Sequence, residues 1–268
     1  MTAGSTDPVF GKSENRHRRG DNEDMDKLFE QYETLILQRD RLEKEAVQYR
    51  MNYFREFGEL ITDAFLARID CIALKKSIAF CQAKRNAGEE IDPISMQEYI
   101  DKSMLAYNAQ LQDLQRQRDE GKSLVPISIL DAEEIKRIYR RVAKRFHPDI
   151  CPLTAEEPGL MELFQRVLLA YRANDLKAIR EAEILINRFM KEHGEEPPAV
   201  EIEDLPEKIE EIESDIAEVM ETEPYTYKYI LEDPSATDQK RCELEAEKES
   251  YLEYKKELQA HLESLIAG

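Results

Sequence analysis

The sequence has little of several residue types, and each shortage argues against a class of protein. It contains no tryptophan, 9 glycines and 4 cysteines in 268 residues. The cysteines are scattered without the close pairs of a disulfide framework or a zinc site. No apolar run is long enough to cross a membrane, and no glycine-rich phosphate loop or nucleophile–histidine arrangement is visible. We therefore expect no enzymatic activity, no cofactor, no metal and no membrane partner.

Charge is abundant and unevenly distributed. Charged residues make up 35% of the chain and the net charge is −19, with 24 acidic against 7 basic residues from Glu192 to Gly268. High charge, few glycines and long segments of helical periodicity predict an all-α protein. The acidic balance argues against nucleic acid as a partner. The polar start of the sequence lacks the features of a signal peptide, so a cytoplasmic location is expected.

Composition and periodicity divide the chain into five segments. Residues 1–24 are polar and predict a disordered tail, and residues 25–120 predict a long helical hairpin that turns near Gly88 and restarts at Asp92-Pro93. Residues 124–192 form a separate helical module, residues 193–204 a proline-containing linker, and residues 205–268 an acidic helical region. The fold class is thus all-α, with a helical hairpin embedded between long coiled-coil-like helices.

Two sets of apolar residues spaced by seven stand in the terminal segments. They are Leu28, Leu35, Leu42 and Tyr49 in the first, and Leu244, Tyr251, Leu258 and Leu265 in the second. Such spacing produces one apolar seam along a helix, and an exposed seam is costly in water. We expect the C-terminal helix to pack along the outer half of the first long helix. Self-association, or pairing with another coiled-coil protein, is the alternative.

A short amphipathic helix ends in the tripeptide His147-Pro148-Asp149. Asp131 is the expected N-cap, with Glu134 completing a capping box, and Pro148 ends the helix. One face is apolar, and the other is basic. The basic face consists of Lys136, Arg137, Arg140, Arg141, Lys144 and Arg145. A second helix follows, so the tripeptide is expected in the loop of an antiparallel helical hairpin.

At these residues the sequence resembles the J domain of DnaJ-type co-chaperones. The resemblance covers about residues 124–185, and the matching positions are Ile135, Tyr139, Val142, Ala143, Phe146, His147, Pro148, Asp149, Phe164, Val167, Ala170 and Tyr171. The short first helix of the family is missing, or is replaced by the end of the preceding helix. Ile150 stands where the family usually has a basic residue. The glycine/phenylalanine-rich region and the Cys-x-x-Cys repeats of full-length DnaJ are absent.

The resemblance implies a co-chaperone that binds a DnaK-type ATPase chaperone and stimulates its ATP hydrolysis, while performing no chemistry itself. The implied partner-binding residues are His147, Pro148, Asp149, Lys136, Arg137, Tyr139, Arg140, Arg141, Lys144 and Arg145. In this interpretation the basic face meets an acidic surface, Asp149 couples docking to hydrolysis, and Pro148 and His147 fix the loop.

Two other functions are compatible with parts of the sequence. A coiled-coil scaffold with a degenerate, inactive J-like domain is favoured by the missing first helix and by Ile150, and opposed by the intact tripeptide. A nucleic-acid module that uses the basic helix is the weakest alternative, because its flanks are acidic and lack interleaved aromatic residues.

Overall fold

The computed structural model describes residues 14–123, 127–193 and 204–267, with side chains described from residue 25 to 266. In these ranges the chain forms α-helices, a 3-10 turn at Tyr225–Tyr227 and no strand, which confirms the all-α prediction. The helices are α1 (Glu14–Ala87), α2 (Pro93–Lys122), α3 (Ile129–Phe146), α4 (Pro152–Glu156), α5 (Pro158–Arg172), α6 (Leu176–His193), α7 (Leu205–Glu221), α8 (Lys228–Leu231) and α9 (Pro234–Ala267).

The helix ends test the predicted capping residues. Asp92 caps α2 as expected, because its carboxylate accepts the backbone N–H groups of Ile94 and Ser95. The predicted cap of α3 is wrong: Ser128 is the N-cap, and its hydroxyl accepts the Asp131 backbone N–H at 3.1 Å. Asp131 thus lies inside the first turn, where its carboxylate accepts the Ser128 hydroxyl at 2.8 Å.

The sequence predicted three irregular segments: the N-terminal tail, the linker and the stretch around Tyr225–Tyr229. Helix α1 begins at Glu14, inside the tail predicted for residues 1–24, while residues 1–13 lie outside the described part of the chain. Most of the predicted linker, residues 194–203, also lies outside it. The stretch around Tyr225–Tyr229, which the sequence suggested was an extended connector, is helical: the 3-10 turn leads directly into α8.

The chain divides into two compact units, and both include part of α1. Unit 1 contains residues 1–44 and 127–222, and unit 2 contains residues 45–126 and 223–268. The segment predicted as one helical hairpin, residues 25–120, is therefore divided between the units after Lys44.

Unit 1 has an apolar core formed by α3, α5 and α6. Helices α3 and α5 are antiparallel, since Tyr139 stacks on Tyr171 at 3.9 Å between ring centroids, and His147 packs edge-on against Phe164. Fifteen buried side chains form the cluster: Ile135, Ile138, Tyr139, Val142, Ala143, Phe146, Leu160, Phe164, Val167, Ala170, Tyr171, Ile179, Ala182, Ile186 and Met190. Helices α3 and α5 thus form the antiparallel pair that was predicted around the tripeptide, and α6 packs against its apolar side.

Unit 2 is built on a parallel pairing of α9 with the inner part of α1. The pairing is marked by ion pairs that repeat every seven residues on both helices: Glu56–Arg241, Asp63–Lys248 at 2.7 Å and Asp70–Lys255 at 2.6 Å. Leu244 packs with Phe57, and Leu258 with Cys71 and Ile78. A shared seven-residue repeat keeps the same faces of both helices in contact along the pair.

The predicted position of α9 is therefore wrong, although its seam is correct. Leu244, Tyr251, Leu258 and Leu265 all contribute to the two apolar clusters of unit 2, but they pack on residues 53–78 of α1 instead of residues 28–49. Leu28, Leu35 and Leu42 of the outer seam belong to unit 1, where Leu42 is buried, whereas Tyr49 lies in unit 2 and packs edge-on against Tyr225. Apolar spacing identified the seam but carried no information on which stretch of α1 would face it.

The packing of α2 against α1 depends on a glycine. A Cβ at Gly121 would lie 2.7 Å from the backbone nitrogen of Arg55 and 2.9 Å from the carbonyl oxygen of Met51. Both contacts are with backbone atoms, which cannot rotate away as a side chain can.

We expect Gly121→Ala to destabilise unit 2 by about 1–3 kcal/mol, because it overpacks a close helix contact. The higher helix propensity of alanine, worth about 1 kcal/mol, acts in the opposite direction. Urea unfolding followed by circular dichroism measures the change. Asn108→Ala, at an exposed site of α2, is the control and should be neutral or slightly stabilising; equal stability of the two variants would contradict the close contact.

Candidate functional site

The candidate site is the loop at the end of α3. His147 is the C-cap of α3, and its backbone N–H still donates to the Ala143 carbonyl at 2.9 Å. The His147 carbonyl accepts the N–H groups of Ile150 and Cys151. These bonds close a tight turn over the tripeptide. Ile150 and Cys151 are buried, which explains why an apolar residue stands after Asp149.

His147 is the buried member of the tripeptide. Its side chain is 6% exposed, and its Nδ1 accepts the backbone N–H of Asp149 at 3.1 Å. In a neutral ring this places the proton on Nε2, which faces Asp40 Oδ2 at 3.5 Å. His147 therefore connects the turn, the ring of Phe164 and the first helix α1.

Asp149 is paired with α1. Its Oδ2 accepts a hydrogen bond from Arg39 Nη2 at 2.8 Å, and its backbone carbonyl accepts one from the Tyr32 hydroxyl at 3.3 Å. The Arg39 side chain also lies 3.7 Å from Asp215 on α7. Burial lowers the pKa of Arg39, but the hydrogen bond and charge of Asp149 outweigh burial and hold this pKa above its usual value.

Asp40 is a buried carboxylate at the centre of the site. Its Oδ2 accepts a short hydrogen bond from the Tyr139 hydroxyl and also faces His147. Burial raises the pKa of Asp40, but its contacts with His147, Tyr139 and Arg39 outweigh burial, so the net pKa lies below its usual value of 3.8. Burial and the Asp40 charge raise the pKa of Tyr139, which keeps its hydroxyl protonated as the donor.

Further contacts hold α1 beside α5. Glu43 of α1 pairs with Arg172, and the Lys44 ammonium lies 4.0 Å from the centre of the Tyr171 ring. Burial, together with the charge of Lys136, lowers the pKa of Lys44 to about 8. These contacts lie away from the tripeptide, near the end of α5.

The structure separates the predicted partner-binding residues into two groups. Arg137, Arg140 and Arg145 are exposed, and Arg137 and Arg140 make no ion pair with another described residue. Others already have partners within unit 1: Arg141 pairs with Glu183, Lys144 with Glu33, Lys136 with Glu133, Asp149 with Arg39, and Tyr139 and His147 with Asp40. Pro148 is partly exposed in the turn. Arg141, Lys144 and Asp149 are nevertheless exposed, so the predicted residues that are buried are Tyr139 and His147.

Tyr32, Arg39 and Asp40 are site residues that sequence reasoning missed. Tyr32, Ile36 and Asp40 are spaced by four and are all buried. A carboxylate in a buried helical stripe needs a donor nearby, but the sequence did not show that this stripe is buried. Acidic residues on α1 also complement the basic face of α3, as the Glu33–Lys144 pair at 3.0 Å shows.

The described residues contain neither a metal-binding cluster nor a membrane-spanning helix. No group of three or more His, Cys, Asp or Glu side chains in this part of the chain is arranged to hold a metal ion. No helix in the same ranges is both long and apolar enough to span a bilayer.

Comparisons with known proteins give short, local matches. The chain is 49% identical over 41 residues to the chaperone protein DnaJ of Thermosynechococcus vestitus, a match that covers 15% of this chain. It is 47% identical over 49 residues to the chaperone protein DnaJ of a Synechococcus species, covering 17% of this chain. The matches cover only 10% and 11% of those relatives. No family model and no solved structure matches. These matches are consistent with a J-domain-like region in a chain that otherwise differs from DnaJ.

The Asp40 contacts predict an acid-sensitive unit 1. A carboxyl whose folded-state pKa lies below its unfolded-state value stabilises the fold above the unfolded pKa, and this stability is lost as pH falls through the folded pKa. The Asp40 contribution should thus be complete at neutral pH and fall away below about pH 4.

We expect Asp40→Asn to cost about 1–3 kcal/mol of unit 1 stability at pH 7 and less at pH 3. Urea unfolding at both values measures the change, with amide exchange in α3 and α5 reporting on unit 1. Glu162→Gln, at an exposed position of α5, is the control. An equal cost of Asp40→Asn at both pH values would show that the carboxylate charge contributes nothing.

Proposed function

We propose that this protein is a J-domain-type co-chaperone that binds a DnaK-type chaperone and stimulates its ATPase. The observation that carries the proposal is the His147-Pro148-Asp149 turn at the end of a basic helix, within an antiparallel hairpin whose core is complete. The local identity to two DnaJ proteins supports the same function. The chain spans about a tenth of those relatives' length, so their other activities are not transferred.

In this proposal the chain supplies contacts and no reacting groups. The exposed Arg137, Arg140 and Arg145 give α3 a positive face that attracts an acidic surface and orients the encounter. The tripeptide then contacts the chaperone, with the Asp149 carboxylate as the charged group. The turn bonds to the His147 carbonyl and ring hold that carboxylate in a defined position.

A scaffold with an inactive J-like domain is the second candidate. It is favoured by one observation: Tyr139, His147 and Asp149 are already bonded to α1 within the same unit. The two functions differ in whether any condition allows ATPase stimulation that depends on Asp149.

We expect saturating amounts of the 268-residue chain to accelerate ATP hydrolysis by a DnaK-type chaperone, and Asp149→Asn to abolish the acceleration. Asn keeps the shape of the side chain but removes the charge that the chaperone is proposed to contact. Steady-state phosphate release measures the effect, and circular dichroism checks folding. Glu162→Gln is the matched control. Equal stimulation by wild type and Asp149→Asn would refute the co-chaperone function.

The encounter should depend on salt and on Arg140. The Debye length shrinks from about 10 Å at 0.1 M to about 3 Å at 1 M ionic strength, so attraction by an exposed basic face weakens in high salt. Arg140→Glu should reduce the association rate constant roughly tenfold or more at low salt, as measured by surface plasmon resonance. Arg166→Glu, an equal charge change on the exposed side of α5, should have little effect. Salt-independent association would contradict electrostatic docking.

A further inference from the structure

We propose that residues 32–44 of α1, named here the cover segment, dock on the tripeptide loop and compete with the DnaK-type chaperone for it. This inference rests on the proposed function and adds its regulation: the co-chaperone surface is closed within its own chain. The chaperone, or another factor that removes the cover segment, would open it. All the contacts concerned lie within unit 1.

The cover segment contacts two of the three tripeptide residues. Arg39 donates to the Asp149 carboxylate at 2.8 Å, and Tyr32 donates to the Asp149 carbonyl. Asp40 faces the buried ring of His147. A chaperone that needs the Asp149 carboxylate must therefore first replace Arg39 as its partner.

The cover segment also uses the chemistry expected of the chaperone's docking surface. Glu33 pairs with Lys144 at 3.0 Å, and Asp40 accepts a hydrogen bond from the Tyr139 hydroxyl. Lys144 and Tyr139 are both among the α3 residues predicted to contact the partner. The cover segment as a whole has no net charge, with three acidic and three basic residues, but its Glu33 and Asp40 carboxylates occupy the α3 side chains that the proposed function assigns to the chaperone. The cover segment and the chaperone cannot occupy the same side chains at once.

The hairpin core is composed of residues outside the cover segment. The fifteen buried side chains of that core come from α3, α5 and α6. From the described part of α1, the partly buried Leu37, the Asp40 carboxylate and the Lys44 ammonium contact them. The direct contacts with the loop are polar. The Arg39–Asp149 and Glu33–Lys144 pairs each retain exposed atoms, and such pairs stabilise by only about 0–1 kcal/mol. These two ion pairs are therefore individually weak, and the main cost of opening lies in the buried contacts of Asp40 with Tyr139 and His147, which the chaperone would have to offset.

Weakening the cover should make the protein a better co-chaperone. When only a small fraction of the molecules is in the binding-competent form, the apparent affinity equals the intrinsic affinity multiplied by that fraction. Arg39→Glu replaces attraction to Asp149 by repulsion, so we expect the concentration for half-maximal ATPase stimulation to fall roughly tenfold relative to wild type. Adding Asp149→Asn to Arg39→Glu should abolish the gain. Arg68→Glu makes the same charge change at an exposed α1 position in unit 2 and should behave as wild type.

A cross-link tests the reverse effect. With exposed Cys242 changed to serine, Glu43→Cys and Arg172→Cys place two thiols at a contact between α1 and α5 that lies away from the tripeptide. Joining them with a short bis-maleimide should hold the cover closed and reduce stimulation at least tenfold. The control pair Glu59→Cys and Lys122→Cys joins α1 to α2 in unit 2, where the native side chains are 3.2 Å apart, and should retain stimulation.

The outcomes separate the two proposals. The cover proposal would be overturned if wild type and Arg39→Glu reached half-maximal ATPase stimulation at the same concentration and the protein cross-linked in unit 1 kept full activity. The co-chaperone function would then remain intact. Absence of stimulation by wild type and by folded Arg39→Glu alike would overturn the co-chaperone function, and the cover proposal with it. Gain in Arg39→Glu together with loss on cross-linking supports both.

Discussion

The structure of unit 1 depends on the burial of one carboxylate. Asp40 is 3% exposed, and an ionised group in that position is tolerated only when donors replace the water it has lost. Tyr139 and His147 provide that replacement, one from α3 and the other from the loop that follows it. A single buried side chain thereby links α1 both to α3 and to the loop that follows it.

This constraint separates the exposed basic face of α3 from the residues that are engaged by α1. The Tyr139 hydroxyl and the His147 ring turn toward Asp40, so the face of α3 nearest the loop packs under α1. The arginines farther round the helix, Arg137 and Arg140, remain exposed. The surface left open is suited to a first electrostatic encounter, whereas the groups proposed to couple docking to hydrolysis are engaged inside the chain. The cover segment can therefore regulate the tripeptide, which is proposed to couple docking to hydrolysis, without blocking the exposed arginines that attract the chaperone.

Much of the architecture could be predicted from local sequence. The Asp92-Pro93 start of α2, the amphipathic α3, the stop at Pro148 and the seven-residue seam of α9 all follow from capping chemistry and periodicity, and each is present. The position of α9 and the role of α1 could not be predicted in this way. Seven-residue spacing occurs in both halves of α1, so it could not choose between them as the partner of α9. Charged residues such as Arg39 and Asp40 are usual on a solvated helical face, and only the contacts of Tyr139 and His147 show that Asp40 is buried.

The central claim is that the cover segment is docked on the loop in the free protein and leaves it when the chaperone binds. The most direct test is the distance between spin labels at Gln31→Cys on α1 and Gln165→Cys on α5, two exposed sites of unit 1, with Cys242 changed to serine. Pulsed electron paramagnetic resonance should give one narrow distance distribution for the free protein. A second, longer population should appear when an ATP-bound DnaK-type chaperone is added. A narrow distribution that stays unchanged while the chaperone binds and its ATPase is stimulated would contradict this account.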